Sequence, residues 1–312
     1  MKRYVRVSCG NLFIASLLVV PVYAIAGVSF ARQEDCQCKG GAEAVKPPVI
    51  TSAMKCDVAA VNDLMARGAH LETRDGEGNT LLKHAVEAGC DKLIDLLLAA
   101  GADPNARSVY GRTPFMAAAA AGPVSLVKRL MALGGDVNAI DKFGETPLLY
   151  AADTAVIKAL VEAGADVNAR DGQGFTALMH AAMGCDETRV IYLVGHGADV
   201  NARNELGVTP LGFAACPNPR ILKSLISAGA DVNARDDEGQ TPLMMTMGYP
   251  DTTEHFIRAG AKVNIADKSG KTALDHAMEI DTFRKEIIRI LKKAGAVSGK
   301  ARPDDGLNRT RN

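Results

Sequence analysis

The cysteines are the side chains in this sequence that could form covalent bonds. The chain has seven, and four of them recur 11 to 13 residues before a Gly-Ala pair: Cys56, Cys90, Cys185 and Cys216. Helices that pack side by side lie about 8–10 Å apart, so equivalent turns of neighbouring helix pairs can approach disulfide distance. In an oxidising compartment we therefore expect the pairs Cys56–Cys90 and Cys185–Cys216. The alternative is that four small residues fill tight turns.

A second pair of thiols lies one residue apart, at Cys36 and Cys38, in a polar stretch. Such a pair could form a reducible bridge, bind a soft metal ion or link to another chain. A structural bridge to a cysteine elsewhere in the chain is the open alternative. These two residues are the candidates for a redox function.

Three histidines at equivalent positions, His84, His180 and His276, are three repeats apart from one another. At about 10 Å per repeat they are separated by roughly 30 Å and cannot share a metal ion or a substrate. No glycine-rich phosphate loop follows a strand, and no nucleophile elbow occurs. We therefore predict a protein that is not an enzyme and that has no metal site and no cofactor.

The elements that carry these residues repeat along the whole chain. A glycine followed by a small residue recurs at Gly68, Gly101, Gly134, Gly164, Gly197, Gly229, Gly260 and Gly295. The following residue is Gly in the case of Gly134 and Ala in all other cases. A threonine follows each of the first seven glycines, at Thr80, Thr113, Thr146, Thr176, Thr209, Thr241 and Thr272. A period near 33 residues sustained this long indicates a repeat architecture.

Each repeat predicts two helices and a turn. Thr followed by Pro, as at Thr146 and Pro147, places a capping hydroxyl and a preset φ at the start of a first helix. A second apolar run with helical spacing follows, and the Gly of Gly-Ala ends it in the left-handed conformation. The Asp-x-x-Gly segments, such as Asp141 to Gly144, then form a projecting turn.

These repeats resemble the ankyrin repeat in their period, in the Thr-Pro-Leu opening at Thr146 and in the Gly-Ala-Asp-Val-Asn ending at Gly164. The resemblance covers roughly residues 51–296. It implies an all-α repeat solenoid, elongated and curved, with projecting β-turns or hairpins. The histidine that the family usually has three residues after the Thr is absent here, so we expect more of the cohesion between repeats to be apolar.

Four segments follow from this pattern. Residues 1–26 have a basic start, an apolar middle and a small-x-small end, which predict an export signal cleaved after Ala26 or, as second choice, after Ala31. Residues 27–50 are a flexible tether. Residues 51–298 are the ankyrin-repeat domain, with a partial N-terminal cap and seven repeats, and residues 299–312 are a disordered tail. The alternative for residues 12–30 is an uncleaved membrane anchor.

The charge of the chain bears on its partners. Lys and Arg number 36, as do Asp and Glu, and no basic stripe is present, so we expect no nucleic-acid partner. We expect a bacterial periplasmic protein, with secretion or anchoring by the N-terminal segment as alternatives. After signal cleavage it should be a monomer that does not bind the membrane and whose partner is another protein.

The turn tips are the predicted binding surface, because in ankyrin proteins the tips and the first-helix face form a concave groove for the partner. Around the tips of the middle repeats apolar residues replace polar ones, which predicts a solvent-facing patch. Its tip residues are Tyr110, Arg112, Phe143, Glu145, Phe175, Leu206 and Val208. The adjoining helix face adds Tyr150, His180 and Phe213. The alternative for Tyr150 and Phe213 is packing between repeats.

The sequence thus favours a non-catalytic protein-interaction module. Some exported bacterial ankyrin proteins are linked to oxidative-stress defence, so the resemblance alone suggests that role. Two alternatives stay open, a thiol redox or metal-handling protein that uses Cys36 and Cys38, and a secreted effector directed at a host.

Overall fold

The computed structural model describes residues 46–217, 219–280 and 283–299. The predicted signal, Cys36, Cys38, most of the tether and the C-terminal tail beyond Gly299 lie outside these residues. The chain divides into two compact units, the first ending at Gly172 and the second beginning at Gln173.

The regular structure of the described residues is helical, apart from one isolated antiparallel bridge between Arg74 and Thr80. The first unit contains α1 (Pro48–Met54), α2 (Val58–Ala66), α3 (Leu81–Glu87), α4 (Asp91–Ala99), α5 (Pro114–Ala121), α6 (Val124–Ala132), α7 (Pro147–Tyr150) and α8 (Thr154–Glu162). The second contains α9 (Ala177–Met183), α10 (Glu187–Gly195), α11 (Pro210–Phe213), α12 (Arg220–Ser227), α13 (Pro242–Met245), α14 (Pro250–Arg258), α15 (Ala273–Glu279) and α16 (Arg284–Lys293). The predicted all-α repeat fold is confirmed.

The helices form pairs that stack within each unit. In the first unit α1 pairs with α2, and the first helices follow one another in the order α1, α3, α5, α7. In the second unit α9 pairs with α10, and the first helices follow in the order α9, α11, α13, α15. The core of each pair is apolar, with Leu130, Leu160 and Phe115 among the fully buried side chains.

The helix ends form as the residue types predict. The Thr113 hydroxyl accepts a hydrogen bond from the Met116 N–H at 3.1 Å, and Thr146, Thr80 and Thr176 cap α7, α3 and α9 in the same way. Gly164 ends the second helix of its repeat with φ of 89°, a conformation that other residues adopt only with strain. Local chemistry therefore fixes where each helix begins and ends.

The N-terminal repeat differs from the sequence prediction. A flexible tether was expected as far as residue 50 and only a partial cap after it, but α1 begins at Pro48 and forms a helix pair with α2. Proline at the first helical position has the correct φ without needing an N–H partner. Val49, Ile50 and Ala53 are buried, and α1 packs against α3, so tertiary contacts stabilise this short helix.

A polar clamp joins consecutive repeats within each unit, and it is formed by an asparagine four residues after the glycine that ends a second helix. The Asn138 side-chain amide donates to the Gly164 carbonyl at 3.1 Å, and its oxygen accepts from the Asp166 N–H at 2.9 Å. The same pair of bonds is made in the first unit by Asn105 and in the second unit by Asn201, Asn233 and Asn264. Cohesion is thus less exclusively apolar than the missing histidines suggested.

A buried carboxylate holds the end of the described chain. Asp275 accepts hydrogen bonds from the Ser298 hydroxyl, from the Gly299 N–H at 2.7 Å and from the Thr272 N–H at 2.8 Å. Burial raises the pKa of Asp275, but these hydrogen bonds to the charged form outweigh it and lower the pKa to about 2.

Among the described residues, the helices are too short or too polar to cross a lipid bilayer.

Replacing Asn138 with alanine tests the clamp. Asn138→Ala removes two hydrogen bonds between repeats and should lower the free energy of unfolding by about 1–2 kcal/mol in urea denaturation. The control is Asn62→Ala at an exposed position of α2, which should change it by no more than about 0.5 kcal/mol. Equal effects of the two substitutions would contradict the clamp.

The Asp275 carboxylate predicts a loss of stability in acid. Because its pKa in the folded state lies below the usual value of about 3.9, its contribution is present above about pH 4 and is lost as the pH falls toward 2. The difference in free energy of unfolding between the wild type and Asp275→Asn should therefore shrink between about pH 5 and pH 2. A difference independent of pH in urea titrations would show that the carboxylate is not held as described.

Candidate protein-binding surface

The turn tips are built by side chains that bracket the backbone. One oxygen of Asp141 accepts hydrogen bonds from the Phe143 N–H at 2.8 Å and the Glu145 N–H at 2.9 Å. Asp75, Asn204, Asp236 and Asp267 bracket their own turns in the same way. Each tip is therefore a fixed platform for the residue before the turn glycine.

Neighbouring tips are also joined to one another. In the first unit the Lys142 N–H donates to the Tyr110 carbonyl at 2.9 Å, and the Val109 N–H donates to the Glu77 carbonyl at 2.7 Å. In the second unit the Glu205, Asp237 and Lys268 N–H groups donate to the preceding tips at 2.9 Å each. These bonds hold adjacent tips of each unit in register.

Four exposed apolar residues on two adjacent tips of the first unit form what we call the tip surface. They are Val109, Tyr110, Ile140 and Phe143, with 52%, 44%, 54% and 42% of their areas exposed. The Tyr110 and Phe143 rings are stacked, with centroids 6.1 Å apart and planes inclined by 24°. Large apolar side chains that remain exposed together on fixed backbone are typical of an interaction site.

Val109 and Ile140 were not predicted, although the sequence contained a signal for both. Ile140 occupies the position where Arg74, Arg107 and Arg170 stand in other repeats of this unit, and Val109 replaces a residue that is elsewhere polar or glycine. Arg74 donates to the Arg107 carbonyl at 2.6 Å, and Arg107 donates to the Ile140 carbonyl. Ile140 has no guanidinium with which to continue this series, and its side chain is exposed instead.

Three predicted surface residues are buried: Glu145, Tyr150 and Val208. The Tyr150 hydroxyl donates to Asp141 at 2.8 Å, and its ring packs with Met116 and Ala139. Position four after the Thr points to the aspartate that opens the turn, so His84 contacts Asp75 and His276 contacts Asp267 in the same way, at 2.9 and 2.8 Å. The prediction that Tyr150 faces a partner is therefore wrong, and packing between repeats is its role.

The environment of Tyr150 shows how strongly it is held in place. Burial raises the pKa of the Tyr150 hydroxyl, and the neighbouring carboxylates Glu145 and Asp141 raise that pKa further, while Arg112 opposes them.

Val208 is buried because its N–H is bound by Asn204, which directs the residue after the turn glycine inward. Glu145 lies beside Arg112 at 3.9 Å.

Arg112, another predicted site residue, lies against the Phe143 ring of the tip surface and the buried Tyr150 ring. Its guanidinium carbon lies 5.7 Å from the Phe143 ring centroid and 5.5 Å from that of Tyr150. Its Nε lies 3.6 Å from Asp141, and about a quarter of the side chain is exposed. Cation–π contacts of this kind favour one orientation of the Phe143 ring.

The remaining predicted residues belong to the second unit. Leu206 is exposed at its tip, whereas Phe175, His180 and Phe213 are each partly buried. Phe175 contacts the His180 ring at 5.6 Å and the Phe213 ring at 5.2 Å between centroids. The second unit therefore has an aromatic cluster that is largely engaged in its own packing.

The four repeat cysteines lie in two pairs, as predicted. Cys56 and Cys90 have Cα atoms 5.5 Å apart, and Cys185 and Cys216 have Cα atoms 5.7 Å apart, each pair joined as a disulfide. Both pairs connect the inter-helix turns of consecutive repeats. Cys56 and Cys185 are exposed, and Cys90 and Cys216 are buried. Within the described residues, no group of His, Cys, Asp or Glu side chains is arranged to hold a metal ion.

Comparisons with known proteins agree with this geometry. A family model described as "Ankyrin repeats (3 copies)" matches residues 49–141, 85–171, 115–204, 153–236 and 211–300. A crystal structure of the ankyrin repeat domain of Bcl-3, whose title calls it a unique member of the IkappaB protein family, is similar with 26% identity. This match covers 69% of the chain and 99% of the Bcl-3 chain, with a TM-score of 0.56. None of the curated proteins matches the sequence.

The disulfide pairs can be tested by double substitution. Replacing Cys185 and Cys216 with alanine removes a link between two repeats and should lower the free energy of unfolding by about 2–4 kcal/mol. Peptide mapping without reductant should recover the Cys185 peptide joined to the Cys216 peptide. Free thiols at both positions in the full chain, purified without reductant, would contradict the pairing.

Proposed function

The chain belongs to the ankyrin-repeat family, and from this premise we propose that it is a non-catalytic interaction module whose tip surface in the first unit binds another protein. The observation that carries the proposal is the exposure of Tyr110 and Phe143, stacked side by side on two adjacent tips. Aromatic side chains at the centre of an interface commonly supply most of its binding free energy.

The rigidity of the tips supports this assignment. Asp141 brackets the Phe143 turn, and the backbone bond from Lys142 to Tyr110 joins the two tips before any partner arrives. A surface that is already ordered loses little conformational entropy when it binds. The apolar area that the partner covers can therefore contribute directly to affinity.

His84 and His276 have a structural role that is compatible with this proposal. His84 and His276 lie in different units, and each is buried or partly buried against the aspartate of its own turn. In these positions both support the turn on which the adjacent tip is built.

We also propose that the protein is exported to an oxidising compartment, the bacterial periplasm in the simplest case. The basic and apolar character of residues 1–26 supports export, and two cysteine pairs at disulfide distance favour an oxidising environment. Cell fractionation with the full chain tests this part of the proposal, since recovery in the cytoplasmic fraction would contradict it.

Substituting the two aromatic residues tests the binding surface. The double variant Tyr110→Asp/Phe143→Asp places charges where a partner would bury carbon, so recovery of the co-purified partner should fall at least about tenfold. The matched control is Leu133→Asp, an equally exposed apolar residue after α6 in the same unit. Unchanged urea midpoints in both variants would exclude unfolding as the cause.

Two results would contradict the proposal. One is capture of the same protein in equal amounts by the wild type and the double variant. The other is that neither the wild type nor the Leu133→Asp control captures any protein from extracts of the cells that produce the chain.

A further inference from the structure

Exposed basic side chains surround the tip surface, and we infer that its protein partner presents carboxylates on either side of an apolar side chain. This inference rests on the proposed function and specifies the chemistry of the partner. It depends on where the charged groups of the first-unit tips point.

The basic groups of these tips point outward and the acidic groups point inward. Arg74, Arg107 and Lys142 are exposed, and Glu77 is the exposed carboxylate among them. The exposed fractions of the Asp75, Asp141 and Glu145 side chains are only 4%, 0% and 7%. A partner that contacts the tip surface therefore meets mainly positive charge.

The outward charges are not neutralised within the described part of the chain. Arg74 and Arg107 donate to backbone carbonyls, which satisfies N–H groups but leaves the positive charge. Lys142 takes part in none of the ion pairs of the described residues. Arg112 differs, because it lies beside Asp141 and Glu145 and its charge is compensated from below.

The tips of the second unit have a different character. Their exposed charges are of both signs in equal number, with Arg203, Glu205, Arg235, Asp237, Glu238 and Lys268. Leu206 is the large apolar residue exposed there in the described structure. Selectivity for an acidic, apolar segment is therefore a property of the first-unit tips.

Binding would make use of both features together. Arg74, Arg107 and Lys142 form a basic rim around the tip surface. When a partner covers Tyr110 and Phe143, it removes water from this rim, and the attraction between Lys142 or Arg107 and a carboxylate becomes stronger. A basic segment would instead meet like charge, which disfavours the wrong partner. The apolar contact supplies affinity, and the basic rim selects the partner.

A protein segment fits this surface better than a polyanion does. The whole chain has a formal net charge of zero, and the tip surface offers three exposed cations around four apolar residues. Nucleic acids and anionic membranes are bound by larger arrays of cations that neutralise several phosphates. The partner is thus expected to be an acidic, apolar peptide segment.

Two synthetic peptides test the inference on the full chain by fluorescence anisotropy. One has the sequence Asp-Glu-Leu-Phe-Glu-Asp, and the other has lysine at each acidic position. The acidic peptide should bind more tightly, and Lys142→Glu should weaken its binding about fivefold or more while strengthening binding of the basic peptide. The control Lys128→Glu, on the exposed side of α6, should change neither affinity.

Three outcomes would overturn the inference: equal binding of both peptides, equal effects of Lys142→Glu and Lys128→Glu, or no binding of the acidic peptide. Stronger Lys142-dependent binding to phosphatidylglycerol vesicles than to the acidic peptide would also overturn it. None of these results decides the proposed function, because that depends on co-purification with the Tyr110→Asp/Phe143→Asp variant.

Discussion

The asparagine clamp between consecutive repeats is the interaction on which each unit depends. Asn138 supplies both a donor and an acceptor, and it satisfies the carbonyl of Gly164 and the N–H of Asp166 in the next repeat. A single amide therefore fixes the spacing and the rotation of one helix pair relative to the next. Apolar packing alone would hold the helices together but would allow them to slide, because dispersion contacts are not directional.

The tip surface follows from this register. Once consecutive repeats are aligned, the backbone of one tip reaches the next, as in the bond from Lys142 to Tyr110, and side chains at equivalent positions come together. At the position of Ile140, Arg74, Arg107, Arg203 and Arg235 each donate to the carbonyl of the equivalent residue in the next repeat. In the middle of the first unit this position is apolar and exposed, and together with Tyr110 and Phe143 it gives this unit a surface that the clamp holds in place.

Much of the fold could be predicted from the sequence because its determinants are local and repeated. Thr113 caps its helix, Gly164 ends one, and the spacing of Cys185 and Cys216 placed them in facing turns. The orientation of single side chains could not be predicted in the same way. Tyr150 and Phe143 are both aromatic residues near a tip, but Tyr150 is buried by its bond to Asp141, nine residues away. The N-terminal helix α1 has no repeat phrase, and packing on α3 stabilises it.

Amide hydrogen exchange of the full chain, with and without the co-purified partner, can show whether the tip surface is where the partner binds. If the tip surface binds the partner, exchange should slow in the first-unit tips, residues 108–112 and 141–145, and stay unchanged in the second helices α4 and α6. Slower exchange along α4 and α6, with the tips unaffected, would show that the partner binds elsewhere and would contradict the assignment of the tip surface.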